Sequence, residues 1–181
     1  MIKLRAICFD FGDTLADEAT EEKDAVGVTQ RADLIPGVAE LIHTLKRRGY
    51  TLALVADGYP GTYRNVLIQH ALYACFDVFA ISEEVGVSKP DARMFTHALD
   101  LLGVPPDAYT RTVMVGNHLE RDIKGANALG MISIWLDWAP RRSKTPADDS
   151  ERPTFIIRTP LELLAVLEQI EHTLGRESDA L

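Results

Sequence analysis

Short apolar segments alternate with segments of helical periodicity along this chain, and this alternation constrains the fold more than any other feature. Strand-like apolar runs lie at 2–9, 51–56, 78–81, 112–115 and 131–136, with a shorter sixth run at 155–157. Apolar residues recur at helical spacing in segments 36–49, 63–74, 90–102, 122–129 and from 159 onward. Strands that alternate with helices build a parallel sheet with helices on both faces. The sequence therefore predicts an α/β fold with a doubly wound, Rossmann-like parallel sheet of five to six strands.

The length and the composition both fit a single domain. The chain has 181 residues, of which 46% are apolar and 25% are charged, and a chain of this size can bury a sizeable core. We expect one domain over residues 1–175, and we expect residues 176–181 to form a frayed tail.

The net charge and the two cysteines limit the binding partners and the cellular compartment that we expect for this protein. The net charge of −8 argues against a general binder of nucleic acid or anionic membranes. No apolar stretch reaches the roughly 18 residues that a membrane span needs, and Lys3 and Arg5 interrupt the first apolar run, unlike in a signal peptide. Cys8 and Cys75 have the surroundings of small core residues rather than of a disulfide. We therefore expect a cytoplasmic protein with no nucleic-acid or membrane partner.

Polar residues stand at the ends of three predicted strands. Asp10 ends the first strand, Ala56–Gly58 ends the second, and Gly116 and Asn117 follow the fourth. In parallel α/β sheets, the ligand site lies at the carboxyl ends of the strands. We therefore expect these residues to meet at one edge of the sheet.

Asp10 is the strongest candidate for a reactive group. A carboxylate at a strand end, facing a glycine turn, can attack a phosphoryl or alkyl group and form a covalent intermediate. The alternative is an aspartate that only shapes the turn. Thr14 can hydrogen-bond the nucleophile or the substrate, or it can cap the same turn.

Three further residues suit a phosphate or metal site. Asp10 and Asp122 can hold Mg²⁺, a hard cation that prefers oxygen ligands, and Asn117 can add a neutral oxygen. Alternatively, Asp122 only caps the helix that it opens. The Lys89 ammonium can neutralise a phosphate and stabilise the Asp10 carboxylate, although a lone lysine is usually solvated.

Four short motifs occur in order along nearly the whole chain. They are Asp10-Phe11-Gly12-Asp13-Thr14, Val55-Ala56-Asp57-Gly58, Lys89-Pro90, and Gly116-Asn117 through Asp122. Together they resemble the four motifs of the haloacid dehalogenase (HAD) superfamily. The helix start at 35–38 and the run 125–131 are similar to the phosphatase branch of that superfamily.

The resemblance implies a Mg²⁺-dependent phosphatase that cleaves a phosphomonoester through an aspartyl-phosphate on Asp10. Its substrate would be a phosphorylated small molecule or a larger phosphorylated molecule. The catalytic residues implied are Asp10 and Lys89. The phosphate-binding residues implied are Thr14, Ala56, Asp57, Gly58 and Lys89. The metal ligands implied are Asp10, the carbonyl of Gly12, Asn117 and Asp122.

Three positions depart from the pattern of the superfamily. Gly12 replaces the second aspartate, which in family phosphatases acts as general acid and base and contributes a factor of about 10²–10⁴ in rate. Asp13 lies one residue later and should point elsewhere. Ala56 lacks the hydroxyl that binds the transferring phosphoryl group, and Asn117 lowers the negative charge around the metal.

The segment between the first motif and the first helix is short. Family members that act on small metabolites usually insert a helical cap there, and Ala16–Leu34 is too short for one. The site should be open, or covered by a neighbouring subunit of a homo-oligomer. The loop with Arg141, Arg142 and Lys144 either contacts an anionic substrate or is a solvated polar loop, and we favour the latter.

Two other functions stay open at this point. The three departures fit a weak or inactive protein that binds a phosphorylated ligand or a protein partner. The missing acid at Gly12 also fits metal-independent cleavage of a carbon–halogen or carbon–phosphorus bond, although such enzymes rely on cap residues.

Overall fold

The core of the fold is a parallel sheet, as the sequence predicts. The structure, a computed structural model, describes residues 4–178. The main-sheet strands are β1 (Ala6–Phe9), β4 (Leu52–Ala56), β5 (Val78–Ile81), β6 (Thr112–Gly116), β7 (Ile132–Leu136) and β8 (Phe155–Ile157). They lie in the order β5-β4-β1-β6-β7-β8, and every neighbouring pair is parallel. The doubly wound fold class is therefore confirmed, with six strands in the main sheet of the described residues.

Helices cover both faces of this sheet. They are α1 (Val38–Arg47), α2 (Pro60–Gln69), α3 (Ser82–Val85), α4 (Ala92–Leu101), α5 (Lys124–Ala128) and α6 (Glu162–Ser178). Apolar residues of α1, α2 and α6 pack into the core on one face, and those of α4 and α5 pack on the other. This arrangement follows from the helical spacing of apolar residues in each segment.

Strand β1 supplies side chains to both layers of the core. Ile7 and Phe9 belong to the core on the α1 face, and Ala6 and Cys8 belong to the core on the α4 face. All four are almost fully buried, as expected for a central strand of a parallel sheet. Burial raises the pKa of the Cys8 thiol to about 12, and both Cys8 and Cys75 are free. Cys8 is therefore a core residue rather than a reactive thiol.

Several helix boundaries differ from the sequence prediction, most clearly those of α2 and α6. Helix α2 begins at Pro60 rather than at residue 63, because proline suits the first turn of a helix. It ends at Gln69 rather than at residue 74, because the chain turns just after Gln69, with Ala71 at a φ of 56°. Helix α6 includes residues 176–178, which the sequence analysis assigned to a frayed tail. The rest of that tail, residues 179–181, and the start of the predicted first strand lie outside the described residues.

The segment before α1 contains a small hairpin that the sequence analysis did not predict. It pairs β2 (Glu22–Lys23) with the antiparallel β3 (Thr29–Arg31). The Thr29 N–H donates to Thr62 Oγ1 at 3.0 Å, and Asn65 donates to the Thr29 carbonyl at 3.1 Å, so the hairpin is held against α2. The chain therefore carries this β2–β3 hairpin where a helical cap would be inserted, in agreement with the predicted lack of a substantial cap domain.

Within residues 4–178, none of the helices has the length and apolar character needed to cross a membrane.

Replacing Ile7 by alanine should show how much of the stability depends on β1. Ile7 is fully buried, so Ile7→Ala should lower the free energy of unfolding by about 2–5 kcal/mol, measured by urea denaturation. Ile156 in β8 is 57% exposed, and Ile156→Ala should cost less than about 1 kcal/mol. Equal losses in the two variants would contradict the central position of β1.

Candidate active site

Asp10 lies at the carboxyl end of the central strand. Its N–H donates to the Val115 carbonyl at 2.9 Å, which ties it to the end of β6. Strand β1 is flanked by β4 on one side and by β6 on the other, so the chain reverses its winding direction at β1. Ligand sites of doubly wound folds lie in the crevice at such a point. The predicted meeting of the three strand ends is thus observed.

A buried lysine joins two carboxylates at this crevice. Lys89 Nζ lies 2.6 Å from Asp10 Oδ1 and 2.7 Å from Asp122 Oδ1. The side chains of Lys89 and Asp122 are only 2% and 1% exposed. The backbone N–H of Lys89 also donates to Asp57 Oδ1 at 3.0 Å. Lys89 is therefore not the solvated lysine of the alternative interpretation, because it joins its own motif to the other three.

The charged groups of this cluster shift one another's pKa values. Burial opposes the charge on Lys89, but the carboxylates of Asp10, Asp122 and Asp57 outweigh it and raise the pKa of the ammonium group. Burial, together with the negative charge of Asp10, raises the pKa of Asp122 despite the nearby ammonium. Perturbed pKa values of two contacting groups in one crevice are typical of a functional site.

The loop after β6 brings Asp122 into the cluster. A π-helical turn, Leu119–Ile123, leads from this loop into α5. The His118 N–H donates to Asp122 Oδ2 at 2.9 Å and fixes the second carboxylate oxygen. A Cβ at Gly116 would lie only 2.5 Å from the Cβ of Asp122, so only glycine permits this approach. Asp122 is thus held by the turn rather than acting as a simple helix cap.

The remaining predicted phosphate-binding residues are placed differently. The Thr14 hydroxyl donates to Asp10 Oδ2 at 3.2 Å, so Thr14 orients the candidate nucleophile. Ala56 is buried within β4, and the Gly58 N–H donates to Ser82 Oγ at 2.9 Å, so this donor already has a partner in the protein. Asp57 faces the crevice, with Oδ2 at 3.6 Å from the Arg121 guanidinium.

Asn117 supplies a polar side chain that has no partner among the described residues. The side-chain oxygen and nitrogen of Asn117 are buried and find no hydrogen-bond partner within residues 4–178. A buried amide oxygen without a partner fits a hard cation, but Asn117 lines a neighbouring cavity rather than the one that contains Asp10 and Asp122. In the described part of the chain, no group of three or more histidine, cysteine, aspartate or glutamate side chains is placed to hold a metal.

Gly12 faces the carboxylate of Glu18. A Cβ built at Gly12 would lie 2.8 Å from Glu18 Cδ and 2.9 Å from Glu18 Cγ, which is closer than real contacts allow. Burial, followed by the charge of Asp13, raises the pKa of Glu18 even though Arg142 opposes the shift. A carboxylate therefore occupies the space next to residue 12, although residue 12 itself has no side chain.

The arginine loop is exposed over most of its length, in line with the favoured interpretation, but two of its side chains reach back to the first motif. Arg141 forms an ion pair with the fully buried Asp13, and Arg142 pairs with both Asp13 and Glu18. The loop folds back because Asp13, at a left-handed φ of 53°, turns its carboxylate away from the crevice toward these guanidinium groups. Lys144 instead pairs with Asp137. As expected, Asp13 does not replace the missing acid at Gly12.

The crevice encloses a cavity of about 300 Å³. Of the predicted site residues, the cavity walls include Asp10, Gly12, Asp57, Lys89 and Asp122. The walls also include residues outside the predicted set, namely Glu18, Tyr63, His118, Arg121 and Arg142. Burial, together with Arg142, lowers the pKa of His118, which favours its neutral form. Arg121 and His118 lie inside the fourth motif, whereas no sequence spacing points to Glu18 or Tyr63.

The chain is similar in sequence to a known family of hydrolases. A family model described as a haloacid dehalogenase-like hydrolase matches residues 9–130. The chain is 33% identical over 135 residues to a glyceraldehyde 3-phosphate phosphatase of Methanopyrus kandleri, covering 75% of this chain and 57% of the relative. It is 35% identical over 124 residues to a phosphoserine phosphatase of Thermus thermophilus, covering 68% of this chain and 47% of the relative. The chain thus spans about half the length of these curated relatives.

A solved structure supports the same relationship. The crystal structure of a HAD phosphatase from Thermococcus onnurineus is 29% identical to this chain, with a TM-score of 0.63. The similarity covers 75% of this chain and 59% of that chain.

Removing the ammonium group of Lys89 should destabilise the protein in a pH-dependent way. Lys89→Met leaves two buried carboxylates without their cation, so the free energy of unfolding at pH 8 should fall by about 3–5 kcal/mol. Because the pKa of Asp122 is already raised in the folded state, its ionised form destabilises the variant as pH rises. The loss should therefore shrink at pH 5.

The matched control is Lys23→Met, since Lys23 is 52% exposed and pairs with Glu21 on the surface. Its effect on urea denaturation should stay below about 1 kcal/mol at both pH values. A Lys89→Met variant that is as stable as this control would show that the buried cluster has been misassigned.

Proposed function

This chain belongs to the haloacid dehalogenase-like hydrolases, and we propose that it hydrolyses phosphomonoesters through an aspartyl-phosphate on Asp10. The observation that carries the proposal is the position of Lys89 between the carboxylates of Asp10 and Asp122 at the crevice. The phosphatase names of the curated relatives support the same reaction.

Asp10 is the proposed nucleophile. Its carboxylate is 8% exposed and lines the cavity, so an entering phosphoryl group can reach it. The ammonium of Lys89 pairs with this carboxylate, and the Thr14 hydroxyl restricts its orientation. An oriented carboxylate that attacks phosphorus forms an acyl-phosphate and expels the alcohol of the ester.

Positive groups around the cavity suit a dianionic phosphate. Lys89, Arg121 and Arg142 all line the cavity, and planar guanidinium groups match phosphate oxygens well. The Gly58 N–H donates to Ser82, and Ala56 has no hydroxyl group. We therefore propose that the three cations make most of the contacts to the phosphate.

Mg²⁺ is the proposed cofactor. Asp10, Asp122, the Asn117 side-chain oxygen and the carbonyl of Gly12 are the residues that would hold it. When bound, the ion supplies positive charge that polarises the phosphoryl group and offsets its negative charge. The lower charge of Asn117 relative to an aspartate predicts weak binding of the ion.

The proposed substrate is a phosphorylated small molecule or a phosphate group on a larger molecule. The crevice is covered by the β2–β3 hairpin on one side and by the arginine loop on another, rather than by a helical cap domain. Because Cys8 and Cys75 are both free, we place the protein in the cytoplasm, where thiols stay reduced.

The test is Mg²⁺-dependent hydrolysis of p-nitrophenyl phosphate by the wild-type protein and by Asp10→Asn. An amide cannot act as the nucleophile, so Asp10→Asn should lower kcat by roughly 10³-fold or more. The control Asp107→Asn changes an exposed aspartate outside the cavity and should keep wild-type activity.

Equal activity of Asp10→Asn and the wild type would contradict the proposed nucleophile. Phosphate binding by a wild-type protein that turns over no phosphoester would favour a binding protein. Halide release from a haloacid without added metal would favour the dehalogenase alternative.

A further inference from the structure

The space beside Gly12 is filled by a carboxylate from elsewhere in the chain. A side chain at position 12 would run into the carboxyl group of Glu18, whose Cδ lies 2.8 Å from the built Cβ. Gly12 is not among the residues with a positive φ, so its backbone does not require glycine. In the structure, the Glu18 carboxyl group occupies the room that a side chain at position 12 would need.

A tight turn brings these two residues together. The N–H groups of Leu15 and Ala16 both donate to the Phe11 carbonyl, at 2.7 and 3.1 Å, which folds the chain back on itself. The Glu18 N–H then donates to Asp13 Oδ1 at 3.3 Å. Glu18 is thus fixed at its backbone, six residues after Gly12, on the same side of the crevice.

Glu18 stands between two cavities. The first, of about 300 Å³, contains Asp10 and Lys89, and the second, also of about 300 Å³, is lined by the hairpin residues Lys23 and Thr29. Gly12 and Glu18 line both cavities. In a phosphomonoester bound with phosphorus at Asp10, the leaving oxygen must project away from Asp10. The second cavity is the adjoining space for the leaving group.

Arg142 holds the Glu18 carboxyl group through one oxygen only. The guanidinium of Arg142 contacts Oε2, whereas Oε1 is the oxygen that lies against Gly12. Arg142 itself is anchored by Asp13, with Nε at 3.2 Å from Oδ2. The carboxyl group is therefore oriented with one oxygen held by Arg142 and the other directed toward Gly12.

We propose that Glu18 is the general acid and base of this site, in place of the aspartate that is absent at Gly12. The assignment rests on the proposed phosphatase function. In the first step, Asp10 bonds to phosphorus and the bond from phosphorus to the leaving oxygen breaks. Glu18 in its acid form gives its proton to that oxygen, which leaves as an alcohol.

In the second step, water attacks phosphorus of the aspartyl-phosphate and the bond to Asp10 breaks. The Glu18 carboxylate takes the proton from this water. Inorganic phosphate forms, the Asp10 carboxylate is restored, and Glu18 is again an acid. Both steps balance with water as the only co-reactant.

The test compares Glu18→Gln with the wild type on two aryl phosphates. Phenyl phosphate has a leaving group that needs a proton, whereas 2,4-dinitrophenyl phosphate does not. In single-turnover experiments, Glu18→Gln should slow phenyl phosphate roughly 10²–10⁴-fold and should affect the dinitrophenyl ester far less. Aspartyl-phosphate should also accumulate in the variant, because water attack lacks its base. Glu22→Gln, an exposed neighbour on β2, is the matched control and should behave as wild type.

A second pair of variants separates proton transfer from structural support. Glu18→Ala frees the space beside residue 12, so Gly12→Asp can be added without a collision. The double variant Gly12→Asp/Glu18→Ala should recover at least about tenfold of the phenyl phosphate activity lost in Glu18→Ala. Gly12→Asn/Glu18→Ala has the same shape without the acid and should not recover it.

The possible contrary results distinguish a failure of the role of Glu18 from a failure of the phosphatase function. If Glu18→Gln slows both esters equally, or if it slows neither while Asp10 is still required, the role of Glu18 is overturned and the phosphatase function stands. A wild-type protein that hydrolyses neither ester overturns the phosphatase function and this assignment with it.

Discussion

The buried ion cluster of Lys89 with Asp10 and Asp122 is the interaction on which the rest of the site depends. Each of the two carboxylates lies within 2.7 Å of the same ammonium group. Two carboxylates at this depth would repel each other without the cation, and a buried lysine without them would be costly to keep charged. The cluster therefore fixes three separate segments of the chain at the edge of the sheet.

The local structure around the cluster follows from this requirement. Gly116 has no side chain because Asp122 passes too close for one, and the His118 N–H satisfies the second oxygen of Asp122. The same principle of close approach explains Gly12, where the neighbour is Glu18. At position 12, where the family pattern has an aspartate, the structure places the carboxyl group of Glu18 in the space that a side chain would take.

The sequence predicts the frame of the fold well because each main-sheet strand is an apolar run and each long helix has an apolar face. Asp10, Lys89 and Asp122 were also predictable, since each stands at the end of a strand or at the start of a helix. The β2–β3 hairpin was not predictable, because its strands are two and three residues long and depend on hydrogen bonds to α2.

The positions of Glu18 and of the arginine loop were also beyond sequence reasoning. Glu18 meets Gly12 only through a turn that depends on backbone hydrogen bonds to Phe11, and no periodic pattern encodes such a turn. Arg141 and Arg142 contact Asp13 from more than 120 residues away along the chain. Contacts of this kind depend on how the loops pack once the sheet has formed.

The central claim is that Asp10 forms a covalent bond to phosphorus during turnover, and chemical trapping tests it most directly. The wild-type protein is mixed with Mg²⁺ and 2,4-dinitrophenyl phosphate, quenched in acid during turnover, and reduced with borohydride, which converts an aspartyl-phosphate into homoserine. Mass spectrometry of the peptide that contains residue 10 should then find homoserine at that position only. Rapid hydrolysis of the ester with an unmodified Asp10 would contradict the account.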